Sequence, residues 1–122
     1  MGDLSVHFSR HEFACNGMGK GICQCGFDTV DAETLEVLEE VRTHFGEAVT
    51  VNSGCRCDKY NKHVGGSPNS KHKEGRACDI MVNNVQPVEV YHFLDTKYPN
   101  QYGIGSYDTF THIDTRGYKA RW

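Results

Sequence analysis

Residues 70–79 have the sequence SKHKEGRACD, which predicts a turn followed directly by a strand. On one continuous helix His72 and Asp79 would share a face but lie roughly 10.5 Å apart along the axis. Gly75 between them instead favours a turn that brings both side chains to one point. We therefore expect His72 in the turn and Asp79 on the strand that follows it.

A second stretch, DTFTHID at residues 108–114, alternates in polarity and predicts a strand. On that strand Asp108, His112 and Asp114 would project from one face. His72, Asp79 and His112 then form a set of two histidines and one carboxylate. Such a set can bind catalytic zinc with one position open for water, or non-haem iron. A surface or core role for these histidines is the alternative that spacing alone leaves open.

The remaining elements predict an α+β domain. A helix is expected at residues 31–46, where Asp31 is the N-cap, Val30 and Leu35 form a hydrophobic staple and Gly46 ends the helix. Pro87 favours a second helix through residue 97. Strands are expected at 48–52 and 78–82, with two short strands between 102 and 113. A small antiparallel sheet with helices packed on one face, in a single domain over residues 1–122, satisfies this order.

Composition excludes several classes of function. The chain has 122 residues, 13 Lys and Arg, 16 Asp and Glu, and a formal charge of -3, so it lacks the basic surface that nucleic acid binding needs. No apolar run is long enough to insert in a membrane, and the first residues lack the apolar core of a signal peptide. We therefore expect synthesis in a cytoplasm. Nothing in the sequence predicts the oligomeric state.

Three motifs carry a resemblance to a known family. They are S-G-x-R at residues 53–56, S-x-H-x-x-G-x-A-x-D at 70–79, and a strand ending in His112. Together they resemble the zinc D-alanyl-D-alanine carboxypeptidases and peptidoglycan endopeptidases, a family that shares its fold with the hedgehog signalling domain. The upstream FSRHEFAC and the capped helix are similar to its small, phage-type members.

The resemblance implies one catalytic zinc ion, bound by His72, Asp79 and His112, and hydrolysis of a peptide bond in bacterial peptidoglycan. It also implies that Arg56 faces the site and holds a substrate carboxylate or carbonyl, as a planar guanidinium suits. Ser70 would either form a hydrogen bond at the edge of the site or cap the turn. Three side chains are candidates to stabilise the oxyanion of the reaction: Arg56, His63 and Tyr107.

The chain departs from the family pattern at the proton acceptor. Many relatives have Asp or Glu three residues before the last ligand histidine, where this chain has Thr109. Asp108 and Asp114 remain on the predicted site face, and either can accept a proton from the attacking water. The alternatives are a turn residue for Asp108 and a partner that orients His112 or Arg116 for Asp114.

The resemblance fits an enzyme made in the cytoplasm of a bacterial host that acts on the cell wall after release, like a phage endolysin. A bacterial wall-remodelling enzyme and one domain of a longer protein fit equally well. The alternative is a non-hydrolytic, zinc-stabilised module of the same fold that binds wall material or peptide. An iron oxygenase is a third possibility, which bound iron would reveal.

The six cysteines leave their pairing open. Cys78 precedes Asp79 on the strand, so we expect it to face away from the site as a buried, inert thiol. For the other five, a structural zinc with four thiolates competes with disulfides. Neither C-x-C pair has the C-x-x-C spacing common in zinc sites, which favours disulfides or free thiols.

Overall fold

A mostly antiparallel sheet carries the site in the computed structural model, which describes residues 4–122. Five strands lie in these residues, in the order β1-β2-β4-β3-β5, and only the β3 and β5 pair is parallel. The strands are β1 (Val49–Ser53), β2 (Ala77–Val82), β3 (Gly103–Ser106), β4 (Thr111–Asp114) and β5 (Ala120–Arg121). The predicted α+β class with a small antiparallel sheet is confirmed, although β5 was not predicted.

Four α-helices and two 3₁₀ helices accompany the sheet in residues 4–122. They are α1 (Asn16–Gly19), α2 (Ala32–Phe45), α3 (Asp58–His63) and α4 (Pro87–Lys97), with 3₁₀ turns at Arg10–Phe13 and Lys71–Glu74. As predicted, the Asp31 side chain accepts a hydrogen bond from the Thr34 amide at the start of α2, and Gly46 ends it with a left-handed φ of 64°. The short helices α1 and α3 were not predicted.

The sheet separates an apolar face from the site. Ile80 of β2 and Ile113 of β4 are fully buried and belong to one core cluster with residues of α2 and α4. Alternation along the strands places Asp79 and His112, which are paired in register, on the opposite face. Helices α2 and α4 therefore support the sheet from behind and leave its other face for the site.

The predicted strand at residues 108–114 is wrong in its first half. β4 begins at Thr111, and residues 107–110 form the connection from β3. The rings of Tyr107 and Phe110 stack there at 4.4 Å between centroids, which closes the connection. Asp108 therefore lies in a hairpin loop and does not share the strand face with His112.

No helix within residues 4–122 has the length and apolar character that crossing a membrane requires.

Gly75 ends the turn that carries His72, and we expect its replacement to be costly. Its φ is 69°, and a Cβ atom would lie 2.8 Å from the carbonyl oxygen of Thr29. Gly65 has a similar φ of 73° but nothing within 4 Å of a Cβ atom. We predict that Gly65→Ala lowers the free energy of unfolding by about 1 kcal/mol and Gly75→Ala by at least about 2 kcal/mol. Denaturant unfolding in excess zinc measures both, and equal losses would contradict the close packing.

Candidate metal centre

Three separate segments bring two imidazoles and one carboxylate together. His72 lies in the Lys71–Glu74 turn, Asp79 on β2 and His112 on β4. Asp79 Oδ1 is 3.3 Å from His72 Nε2 and 3.0 Å from His112 Nδ1. One ligand atom from each residue lies within 4.8 Å of the others, and all three residues are buried. The structure thus assembles the set that the sequence motifs predicted.

Hydrogen bonds on the far side of each imidazole determine which nitrogen faces Asp79. His72 Nδ1 donates to the carbonyl oxygen of Gly54 at 2.6 Å, and His112 Nε2 donates to Asp114 Oδ2 at 2.8 Å. In the neutral imidazoles the inner nitrogens then carry lone pairs that point at a carboxylate oxygen. A proton or a metal ion between each nitrogen and the carboxylate removes the repulsion between these lone pairs, and two imidazole nitrogens with one carboxylate oxygen match zinc.

Asp79 is held in its charged form. Burial alone would raise the pKa of its carboxyl group, but hydrogen bonds and charge from His112 and His72 outweigh burial and hold the pKa well below its usual range. Arg56 Nη2 lies 3.2 Å from the second oxygen, Asp79 Oδ2. The carboxylate therefore has one oxygen at the centre of the site and the other on a guanidinium.

Asp114 lies behind His112 and is fully buried. Its Oδ2 accepts from His112 Nε2 and from Arg116 Nη2 at 2.7 Å, while Oδ1 accepts from the backbone amide and Nε of Arg116. Burial opposes ionisation of Asp114, but the bonds from His112 and Arg116 outweigh it and lower its pKa. Both oxygens of Asp114 thus already accept hydrogen bonds from His112 or Arg116, which leaves neither oxygen free to reach substrate. Proton acceptance by Asp114 stays a prediction.

Arg56 is anchored on three sides. Besides its contact with Asp79, its Nε donates to Ser53 Oγ at 3.1 Å and its Nη1 to Asn61 Oδ1 at 3.4 Å. Its backbone amide donates to the carbonyl oxygen of His72 at 2.9 Å. The strand β1 and helix α3 thereby fix the guanidinium against the metal ligands.

A cavity of about 550 Å³ opens over the three ligands. Its floor holds His72, Asp79 and His112, and Arg56, Ser70 and Tyr107 also line it, as the sequence predicted for residues that contact substrate. Ser70 Oγ accepts a hydrogen bond from the His72 amide at 3.2 Å, so it caps the turn while lying at the edge of the cavity. Asp79 is the one carboxylate among the described residues that line this cavity.

His63 and Asp108 lie elsewhere. His63 is exposed at the end of α3, where its ring stacks on Tyr60 at 6.5 Å between centroids, and it does not line the cavity. Asp108 is exposed and borders a neighbouring depression together with Thr109. Proposed contacts of His63 with substrate therefore remain a prediction that this arrangement does not favour.

The sequence did not predict the aromatic wall formed by Phe110, Tyr118 and Trp122, all of which line the cavity. Trp122 reaches it because β5 extends the sheet, and its backbone amide donates to the carbonyl oxygen of Ile104 at 3.1 Å. Its ring lies 5.0 Å from that of His112, and its Nε1 donates to the Tyr107 hydroxyl at 2.8 Å. Tyr118 and Trp122, two aromatic residues close together in the sequence, were the feature that could have suggested this wall.

Most of the chain matches a known family model. The family model described as Peptidase M15 matches residues 6–114, which include all three candidate ligands, Arg56 and Asp114. No curated protein matches the chain.

Asp114→Asn tests the support behind His112. The amide cannot accept both hydrogen bonds of Arg116 and keep its contact with His112, so we predict that zinc affinity falls about 10- to 100-fold. Competition with a chromogenic chelator measures that affinity. Asp108→Asn removes a carboxylate from the exposed loop and should leave zinc affinity unchanged. Equal affinities of the Asp114→Asn variant and the unaltered chain would show that Asp114 does not orient the ligand.

Proposed function

Because this chain belongs to the peptidase M15 family, we propose that it hydrolyses a peptide bond in bacterial peptidoglycan. Family membership supports a zinc-dependent hydrolase with a peptide substrate. The buried set of two imidazoles and one carboxylate at the floor of a cavity carries the proposal. The resemblance of the S-G-x-R and S-x-H-x-x-G-x-A-x-D motifs to cell-wall peptidases supports peptidoglycan as the substrate.

One zinc ion is the proposed cofactor, with His72 Nε2, Asp79 Oδ1 and His112 Nδ1 as its ligands. When bound, zinc polarises the scissile carbonyl and makes water a nucleophile near neutral pH. The chain prepares the ligands for it. Gly54 and Asp114 hold each imidazole in the tautomer that turns a lone pair to the centre, which lowers the reorganisation needed on binding.

Arg56 is proposed to bind a substrate carbonyl beside the centre. Its guanidinium lines the cavity and is held by Ser53, Asn61 and Asp79, so it keeps one orientation as charge develops on the carbonyl oxygen. The aromatic wall supplies apolar surface for the flanking peptide. Tyr118 and Trp122 expose 62% and 45% of their surfaces, which leaves their rings available for packing.

We favour an endopeptidase over a carboxypeptidase. A carboxypeptidase needs a cation free to pair with the terminal carboxylate of its substrate. In this cavity the Arg56 guanidinium contacts Asp79, and the Arg116 guanidinium forms two bonds with Asp114. Lys71, the third cation among the described residues that line the cavity, pairs with Glu74 at 3.2 Å. All three charges therefore face protein carboxylates, which suits a neutral carbonyl within a peptide. Such an activity fits an endolysin-like enzyme of a phage or a bacterial wall-remodelling enzyme.

We favour Asp108 over Asp114 as the proton acceptor because its carboxylate is exposed and unengaged, although it does not line the cavity. Within residues 4–122 it forms no hydrogen bond or ion pair with another side chain, whereas both oxygens of Asp114 are occupied. It also lies in the loop of Tyr107 and Phe110, which line the cavity. Proton acceptance by Asp108 therefore requires that the hairpin loop turn this carboxylate from its own depression toward the cavity.

A non-hydrolytic binding module is the second candidate. The observation that favours it is the cavity lining, in which no carboxylate besides Asp79 is found among the described residues. In that case the metal would fix the sheet and turn, while Arg56 and the aromatic wall would hold a wall peptide. The activity of the zinc-loaded protein separates the two candidates.

Digestion of purified peptidoglycan tests the function directly. We predict that the zinc-loaded protein releases free amino groups and converts cross-linked muropeptides into smaller ones, since an endopeptidase cuts within the peptide. A chelator and the His72→Ala variant should both abolish release, while His92→Ala, which alters an exposed histidine on α4, should retain it. Release of single terminal amino acids would indicate a carboxypeptidase, and no release at all would leave the binding module.

Asp108→Asn tests the proton acceptor. We predict at least a ~10²-fold loss of kcat with zinc content unchanged, because the amide cannot accept a proton. Asp28→Asn, which neutralises a carboxylate that does not line the cavity, should retain full activity. Activity of Asp108→Asn equal to that of the unaltered protein would exclude Asp108 as the acceptor.

A further inference from the structure

Four cysteine side chains converge outside the cavity: Cys15, Cys23, Cys25 and Cys57. Their Sγ atoms all lie within 4.8 Å of one another. Three separations are 3.8 Å for Cys15 and Cys23, 3.9 Å for Cys15 and Cys57, and 3.6 Å for Cys23 and Cys25. All six cysteines of the chain lie in the described residues, and none of them forms a disulfide.

These separations match the edges of a metal tetrahedron. With Zn–S bonds of about 2.3 Å, the sulfur atoms of a tetrahedral site lie about 3.8 Å apart. A disulfide would require about 2.0 Å. Four sulfurs packed this closely repel as thiolates and gain little as thiols, whereas one divalent ion at their centre satisfies all of them. We propose that Cys15, Cys23, Cys25 and Cys57 bind a structural zinc ion, separate from the candidate metal centre.

Backbone amides point at two of the sulfurs, as they do at metal-bound thiolates. The Tyr60 amide donates to Cys57 Sγ at 3.4 Å, and the Phe27 amide donates to Cys25 Sγ at 3.3 Å. Partial positive charge is thus directed at the cluster before any metal binds, which favours the thiolate form.

The neighbouring Cys55 has the opposite environment. Its Sγ donates to the carbonyl oxygens of Phe13 and Phe27 at 3.0 and 3.1 Å, so it is a neutral thiol with satisfied partners. Cys78 is buried in the apolar core behind the sheet, as predicted. The chain therefore divides its cysteines into four potential ligands and two core thiols.

The local fold explains why sequence spacing favoured disulfides or free thiols. Two ligands come from the C-x-C pair at residues 23–25. Cys15 and Cys57, the latter from the second C-x-C pair, lie on segments that only the fold brings near. Gly17 allows this approach, because a Cβ atom there would lie 2.8 Å from Cys23 Sγ. The backbone amide of Cys15 donates a hydrogen bond to the carbonyl oxygen of Phe27 at 2.8 Å, which holds the end of the loop next to Cys15.

The proposed zinc would fix the segment that supports the metal centre. Cys57 is the N-cap of α3 and directly follows Arg56, while Gly54, three residues earlier, accepts the hydrogen bond of His72. Binding of Cys57 to residues 15–25 through a metal would therefore restrain both contacts. This proposal does not depend on hydrolysis, since metal content reports on it without any substrate.

Metal content of the full chain, expressed with zinc under reducing conditions, tests the proposal. We expect about two zinc ions per chain, about one in His72→Ala and about one in Cys25→Ser, which alters the exposed member of the cluster. Cys78→Ala removes a cysteine outside the cluster and should keep about two. Retention of two ions by Cys25→Ser, or a single ion in the unaltered chain that His72→Ala loses, would overturn the proposal.

Cobalt substitution supplies a second readout, which identifies the ligand atoms rather than counting ions. Cobalt bound to thiolates has an intense sulfur-to-metal charge-transfer absorption, and a site of imidazoles and a carboxylate lacks it. We expect this absorption in the unaltered chain and in His72→Ala, and its loss in Cys25→Ser. Its absence from the unaltered chain, or cysteines that resist alkylation until a reductant is added, would show that the cluster binds no metal.

Discussion

The contact of Asp79 with two imidazoles is the interaction on which the rest of the site depends. A buried carboxylate is costly unless its charge is balanced, and here His72 and His112 approach one oxygen while Arg56 contacts the other. The direct pairing of β2 with β4 places His112 opposite Asp79. The turn ended by Gly75 returns His72 to the same point. Sheet register and turn geometry are therefore both constrained by one oxygen atom.

Each imidazole is supported from a different part of the fold. Behind His112 the support is local, because Asp114 lies two residues along the same strand and is held by Arg116. Behind His72 it is the Gly54 carbonyl, on the segment that leads from β1 to Cys57. A change at the cysteine cluster would therefore reach the candidate centre through His72 and Arg56, whereas the His112 side would be largely unaffected.

The sequence predicted the features that depend on short spacing, namely the turn at Gly75 and the capped helix α2. Spacing only suggested that His72, Asp79 and His112 form one set, and the resemblance supplied their role together with that of Arg56. Features that depend on long-range packing were missed. Trp122 reaches the cavity only through the parallel pairing of β5, and the four cysteines meet only after α3 packs against residues 15–25. The alternation of polar and apolar residues also led to a predicted strand that began at Asp108. That pattern does not reveal the stacking of Tyr107 on Phe110, which closes the hairpin loop before β4 begins.

Charge balance links the geometry to the proposed chemistry. Asp79 is paired with Arg56 and Asp114 with Arg116, so each buried carboxylate has its own guanidinium. The two pairs contribute no net charge to the cavity floor. A divalent ion held by His72, Asp79 and His112 would therefore keep most of its charge for the substrate, and in a partly buried cavity that charge is weakly screened. The same two pairs, together with the pair of Lys71 and Glu74, engage each cation that the described residues contribute to the cavity lining. A terminal carboxylate would have to compete with these protein carboxylates for a cation, and this competition is the physical basis of the proposed preference for bonds within a peptide.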